Sequence, residues 1–167
     1  MDKKRDELIQ QLSELAQWYA SLASIGQGWH RPIKEDKWCA AEIVAHLMKW
    51  DEYLLADVLP QVSAASGGSV QFPDHDNYNA ASSAYARSGI SPSALLQQAG
   101  ETRGELVRRL GGMTEEQFFR PIAVNGYTNC PRTGSLYSLG YLLWEFISHD
   151  GHHREQIETF FARADAV

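Results

Sequence analysis

The sequence predicts an all-α fold, a four-helix bundle with long crossover loops, with residues 1–167 forming one domain. Three observations predict it. Four segments carry apolar residues at the i, i+3, i+4, i+7 spacing of an amphipathic helix. Two of the connections between them are long and rich in Gly, Ser, Asn and Pro. No segment sustains the strict alternation that a half-buried strand needs. Four such helices with long links make a bundle with at least one crossover, and loops of that length usually wall or cover a site.

The first helix is expected from about Asp2 to Leu22, with Leu8, Leu12, Leu15, Trp18, Tyr19 and Leu22 on one stripe. A loop broken by Gly26, Gly28 and Pro32 follows. The second helix is expected from about Trp38 to Leu59, where Pro60 stops it; Ile43, Leu47, Trp50 and Leu54 mark its inward face. Glu42 stands three residues after Cys39, the far corner of a capping box whose cap is usually Ser or Thr. The link over 63–89 begins as a Ser/Gly/Ala loop and holds a short helix over Tyr78 to Arg87. Ser91 caps the third helix and Pro92 suits its first turn. Its stripe runs through Leu95, Leu96, Ala99, Leu106 and Leu110 to Gly111-Gly112. Thr114 and Gln117 can cap one another around a single turn. A second long loop, 120–135, leads to the fourth helix, about Ser135 to Ala164.

Composition limits the function classes. A formal charge of −6 argues against a general nucleic-acid partner. No apolar run reaches the roughly 18 residues of a membrane span, so no membrane partner is expected. The charged opening MDKKRDEL has no apolar stretch behind it, unlike a secretory signal. Two cysteines, Cys39 and Cys130, form no metal or redox spacing; a reducing, cytoplasmic setting is the expectation.

The chemistry lies in WEFISHDGHHREQIETFF, residues 144–161, with His149, His152 and His153 close together. At about 100° per residue, Leu139, Leu142, Leu143, Phe146, Ile157 and Phe160 share one direction. His153 falls about 20° from Phe146, His149 about 60°, and His152 about 120° on the flank. His149 and His153 are therefore the inward pair, stacked four residues apart. His46, about 60° from Ile43 on the second helix, faces inward as well. Three neutral imidazoles from two helices can hold one cation with open coordination positions, as zinc or nickel is held for chemistry. Hydrogen-bonded core histidines are the alternative. Reading HDGHH as a metalloprotease H-E-x-x-H fails, because aspartate is one methylene too short and the 14 residues after His153 are too few for a downstream ligand helix.

KWCAAEIVAHLMKWDEYL and HDGHHREQI together resemble the DinB/YfiT-like superfamily of four-helix bundles. Trp38, Glu42, His46 and Leu47 match that family's W-[ST]-x-x-E-x-x-x-H-L pattern. His149, His152, His153, Arg154, Gln156 and Ile157 match its H-x-x-H-H-[RL]-x-Q-[hydrophobic] pattern. Cys39 departs from the usual Ser or Thr, which weakens a cap by about 0.5–1 kcal/mol and is not read as a nucleophile. The resemblance implies a divalent metal, zinc or nickel, on His46, His149 and His153. It also implies an enzyme transferring a low-molecular-weight thiol cosubstrate to an electrophilic small-molecule substrate. A metal-dependent hydrolase and a non-catalytic stress-related metal-binding bundle are the alternatives. Pairing among related bundles makes a homodimer the expectation.

Three carboxylates are candidates for orienting an imidazole or moving a proton: Asp51, Glu145 and Asp150. A solvated face or an ion pair is the alternative for Asp51 and Glu145. Asp150 lies about 40° from Phe146, close enough to the apolar stripe to need a partner. Gly151, inside a helix, marks either a close neighbour or neutral drift. Trp29, Trp38, Trp50 and Trp144 are expected as core anchors, with Trp50 also able to line a pocket. His30 and His75 are expected in solvent-facing loops. His75, Tyr78 and Asn79 are the candidates for substrate binding from the first long loop, as are Tyr127, Asn129 and Arg132 from the second.

Overall fold

In the computed structural model, residues 4–63 and 68–164 are described. Helices α1 (Arg5–Ser21), α2 (Ala40–Tyr53), α5 (Pro92–Gly111) and α7 (Leu139–Ala164) form the bundle. Three shorter helices, α3 (Leu59–Ser63), α4 (His75–Ala86) and α6 (Glu115–Phe119), fill the connections. α5 packs chiefly on α1 and α2, α4 lies against α2, and α2 and α7 meet over a short line. The expected start of the first helix at Asp2 lies outside the described residues. No helix among the described residues is long and apolar enough to cross a membrane.

Local chemistry sets the helix ends. Ser91 accepts from the Ala94 N–H and Pro92 opens α5, as its sequence predicts. Thr114 and Gln117 cap each other around α6. α7 starts at Leu139 rather than near Ser135, because the Ser138 hydroxyl accepts from the Tyr141 N–H and serves as its cap. α4 begins three residues before the expected Tyr78, since Asp74 caps it by accepting from the Asn77 N–H. His75 is thus on a helix and not in a loop.

Pro60 does not stop the second helix. The chain passes through a π-helical turn, Leu54–Val58, and continues as α3. A proline lacks an N–H and its ring crowds the carbonyl four residues back, here Ala56. A widened turn with i→i+5 bonds relieves that clash, on a side where Ala56, Asp57 and Pro60 are exposed.

Two short strands were not foreseen. β1 (Ser69–Val70) and β2 (Ala123–Val124) pair in parallel and fasten one long loop to the other. Asn125 (φ +50°) and Gly126 (φ +84°) turn the chain back so that Val124 and Tyr127 exchange backbone bonds. Asn125 Oδ1 also accepts from the Phe72 N–H at 2.8 Å, so both loops meet over one end of the bundle.

The apolar core divides into two clusters. One gathers Leu8, Leu54, Leu106, Phe118 and Leu143; the other gathers Tyr19, Ile43, Leu47, Leu95 and Ile157. Along α5 the division falls between Ala99 and Leu106, and the buried residue there is Arg103.

Candidate metal centre

His46, His149 and His153 come together. Their ligand nitrogens lie within 4.8 Å of one another, and His46 Nε2 is 3.0 Å from His149 Nε2. His46 is buried, while the two α7 imidazoles are half-buried. The outward nitrogens of the α7 pair are engaged. His149 Nδ1 meets Asp150 Oδ1 at 3.2 Å, and His153 Nδ1 meets Gln156 Oε1 at 2.8 Å. A carboxylate and an amide oxygen accept, an arrangement that favours the ring protons on Nδ1 and leaves Nε2 as the nitrogen able to bind a cation. Trp38 covers the cluster, its ring 4.9 Å from His46 and stacked at 6.5 Å on His153.

Burial pushes His46 down to about 3, with the neighbouring His149 and His153 adding to the fall. Burial, then His149, likewise pushes His153 down to about 4. Both stay neutral at physiological pH, the form a metal requires. His46 Nδ1 is buried with no hydrogen-bond partner among the described residues. Three nitrogens each about 2.1 Å from one tetrahedral ion lie about 3.4 Å apart. The clustered nitrogens therefore fit a divalent cation after small side-chain adjustments.

Behind this cluster lies a buried charge chain. Asp150 turns its second oxygen, Oδ2, to Arg103 Nη2 at 2.8 Å, and Arg103 Nε donates to Asp51 Oδ2 at 2.7 Å. Arg103 and Asp51 are fully enclosed, and Tyr19 is buried beside them. Burial opposes ionisation of Asp150, but Arg103 and the His149 bond outweigh it and hold its carboxyl low. Burial prevails at Asp51, which is pushed up despite Arg103.

His46 and His149 open onto a cavity of about 390 Å³. Trp50, Phe72 and Phe146 form one aromatic wall, with Phe72 and Phe146 stacked at 6.3 Å. Asn125, Cys130 and Tyr137 of the second long connection and Tyr141 of α7 also line it. Cys130 is pushed down to about 6 by the hydroxyls of Tyr141 and Thr133. Glu145 lines the cavity too, ion-paired to Arg132 at 2.7 Å and accepting from Tyr141 at 3.1 Å.

The remaining expected residues have varied placements. Asp51 and Glu145 have arginine partners rather than the imidazoles, so of the three candidate carboxylates Asp150 is the one seen bonded to a histidine. Trp50, His75 and Asn79 line the cavity. Tyr78 stands behind that wall, its ring 4.6 Å from Trp50 and its hydroxyl bonded to the Lys49 carbonyl. His152 is exposed, as are Tyr127 and Asn129. Trp29 and Trp50 are buried, whereas Trp38 and Trp144 are half-buried. Gly151 is exposed with open space around it, so no close neighbour requires it. Glu42 is buried; it accepts from the Cys39 N–H, from Ser83 and from Arg87, tying the start of α2 to α4.

The buried residue behind the cluster that the sequence reading missed is Arg103. Its signal was a gap: the third helix's stripe steps from Ala99 to Leu106, and position 103 completes the heptad spacing.

A four-helix bundle that gathers histidines from two helices beside an open cavity defines a class of protein. The chain belongs to the DinB superfamily, whose sequence profile matches residues 7–157. Its fold is similar to that of YfiT from Bacillus subtilis, described as a probable metal-dependent hydrolase with an unusual four-helix bundle topology. The TM-score is 0.71 at 18% identity, covering 99% of this chain and 90% of that one. No curated protein matches the sequence significantly.

Proposed function

We propose that this protein is a divalent-metal-dependent enzyme that transfers a low-molecular-weight thiol to an electrophilic small molecule. One observation carries the proposal: nitrogens of three imidazoles gather within 4.8 Å of one another beside a cavity that His46 and His149 line together with Trp50, Phe72 and Phe146. His46, His149 and His153 would hold the ion, zinc or nickel. When bound, the ion supplies an open position that lowers the pKa of a thiol or water placed there.

The chain's own residues do the rest. Asp150 and Gln156 fix which nitrogen each α7 imidazole presents. Trp50, Phe72 and Phe146 remove water and bind the apolar part of the substrate. His75 and Asn79 offer polar contacts on the same side, with Tyr78 backing Trp50. Glu145 offers a carboxylate for a proton at the cavity rim. A second reading, a metal-dependent hydrolase, gains support from the description of the similarly folded YfiT. A homodimer working in the cytoplasm completes the proposal.

The test pairs metal analysis with assays. Purified protein should contain one equivalent of zinc or nickel and catalyse consumption of monochlorobimane with one member of a panel of cellular thiols. Metal-loaded protein that hydrolyses esters and ignores every thiol would establish the hydrolase reading. Metal-loaded protein inert in both assays would contradict an enzymatic role.

A further inference from the structure

Ala99, Arg103, Leu106 and Leu110 form one inward stripe of α5, so Arg103 takes a place that a leucine would fill in an ordinary bundle. It is 2% exposed and lies where the two apolar clusters part. Burying one guanidinium and two carboxylates there is costly, and apolar side chains would fill the same layer at less expense in free energy. The geometry therefore calls for a reason beyond stability.

That reason lies in which helices the guanidinium joins. Nε donates to Asp51 on α2, and Nη2 donates to Asp150 on α7. Asp51 follows His46 by five residues, and Asp150 is adjacent to His149. α2 and α7 touch each other little. One planar cation thus links the two helices that carry all three imidazoles, close to the level of the cluster. A guanidinium offers its donors in fixed directions and holds two carboxylates at a set separation, which an ammonium does not.

We infer that Arg103 is a positioning residue for the imidazole centre: it clamps α2 to α7 and holds Asp150 so that its other oxygen orients His149. The inference rests on the metal-site reading above, but its second readout does not. Arg103 acts through Asp51 and Asp150 and touches neither substrate nor ion.

The experiment uses two variants of the full chain. Arg103→Lys keeps the charge and loses the fork; Asp51→Asn loosens the α2 end and leaves the Asp150–His149 bond in place. Cobalt(II) affinity is measured by chelator competition, and the His149 tautomer by 15N NMR of the metal-free protein. Arg103→Lys should bind cobalt about 10–100-fold more weakly and lose the Nδ1–H preference of His149. Asp51→Asn should weaken binding in the same direction, and it decides the matter if Arg103→Lys does not fold. Folded variants with parental cobalt affinity and an unchanged tautomer would overturn the inference, whatever their melting temperatures. A parent chain that binds no cobalt would refute the metal reading, and the tautomer measurement would still judge Arg103.

Discussion

His46 Nε2 lies 3.0 Å from His149 Nε2, across 103 residues of sequence and from a different helix. Neither histidine reaches that position alone. Arg103 links the two helices through Asp51 on α2 and Asp150 on α7.

The Gln156 amide oxygen holds the outward nitrogen of His153. Gln156→Leu should therefore weaken metal binding by about tenfold with little change in the melting temperature of metal-free protein. Chelator competition and calorimetry measure the two quantities. Unchanged affinity would mean that the bond does not orient the ring.

Arg103→Met leaves two buried carboxylates facing each other without their shared cation. Breaking a buried ion pair from one side costs about 3–5 kcal/mol, and urea unfolding should show a loss of that order. A loss below about 1 kcal/mol would mean that the layer is hydrated rather than sealed.

Gly151 is exposed on α7 with nothing near its Cα hydrogens. Gly151→Ala should stabilise the fold by roughly 0.5–1 kcal/mol, because alanine loses less backbone freedom on entering a helix. Thermal unfolding checks the sign; a lowered midpoint would contradict the geometry.

The two thiols should titrate differently. Both thiols are buried, but Cys130 lines the cavity and is pushed down to about 6 by Tyr141 and Thr133, whereas burial pushes Cys39 up. A lowered pKa puts Cys130 mostly in the reactive thiolate form at neutral pH. Iodoacetamide should therefore label Cys130 first, with a rate that rises through about pH 6 and levels off above it. Mass spectrometry after brief labelling distinguishes the sites; equal labelling, or a rise seen solely in alkali, would contradict this.

The fold class was legible because burial follows period. The stripes of α1 and α5 are apolar at helical spacing, and Ser91, Pro92 and Thr114 carry their structural meaning in their own chemistry. The inward pair on α7 was legible for the same reason, since position around a helix depends on sequence number alone. Three things were not. Pro60 reads as a stop because its local cost is plain, while the π-turn that absorbs it depends on an exposed, unopposed flank. The paired strands are two residues long, too short for a period, although Asn125-Gly126 was a turn signal in plain view. Arg103 was hidden because its meaning is nonlocal: a buried cation makes sense once Asp51 and Asp150 are known to approach from two other helices.

The central claim is that imidazoles of α2 and α7 share one cation. Titrating zinc into metal-free parent, His46→Ala and His153→Ala proteins, each checked for folding by circular dichroism, tests it most directly. One tight equivalent in the parent, lost from both variants, is the predicted result. Variants that stay folded and retain the parent's full equivalent would contradict it.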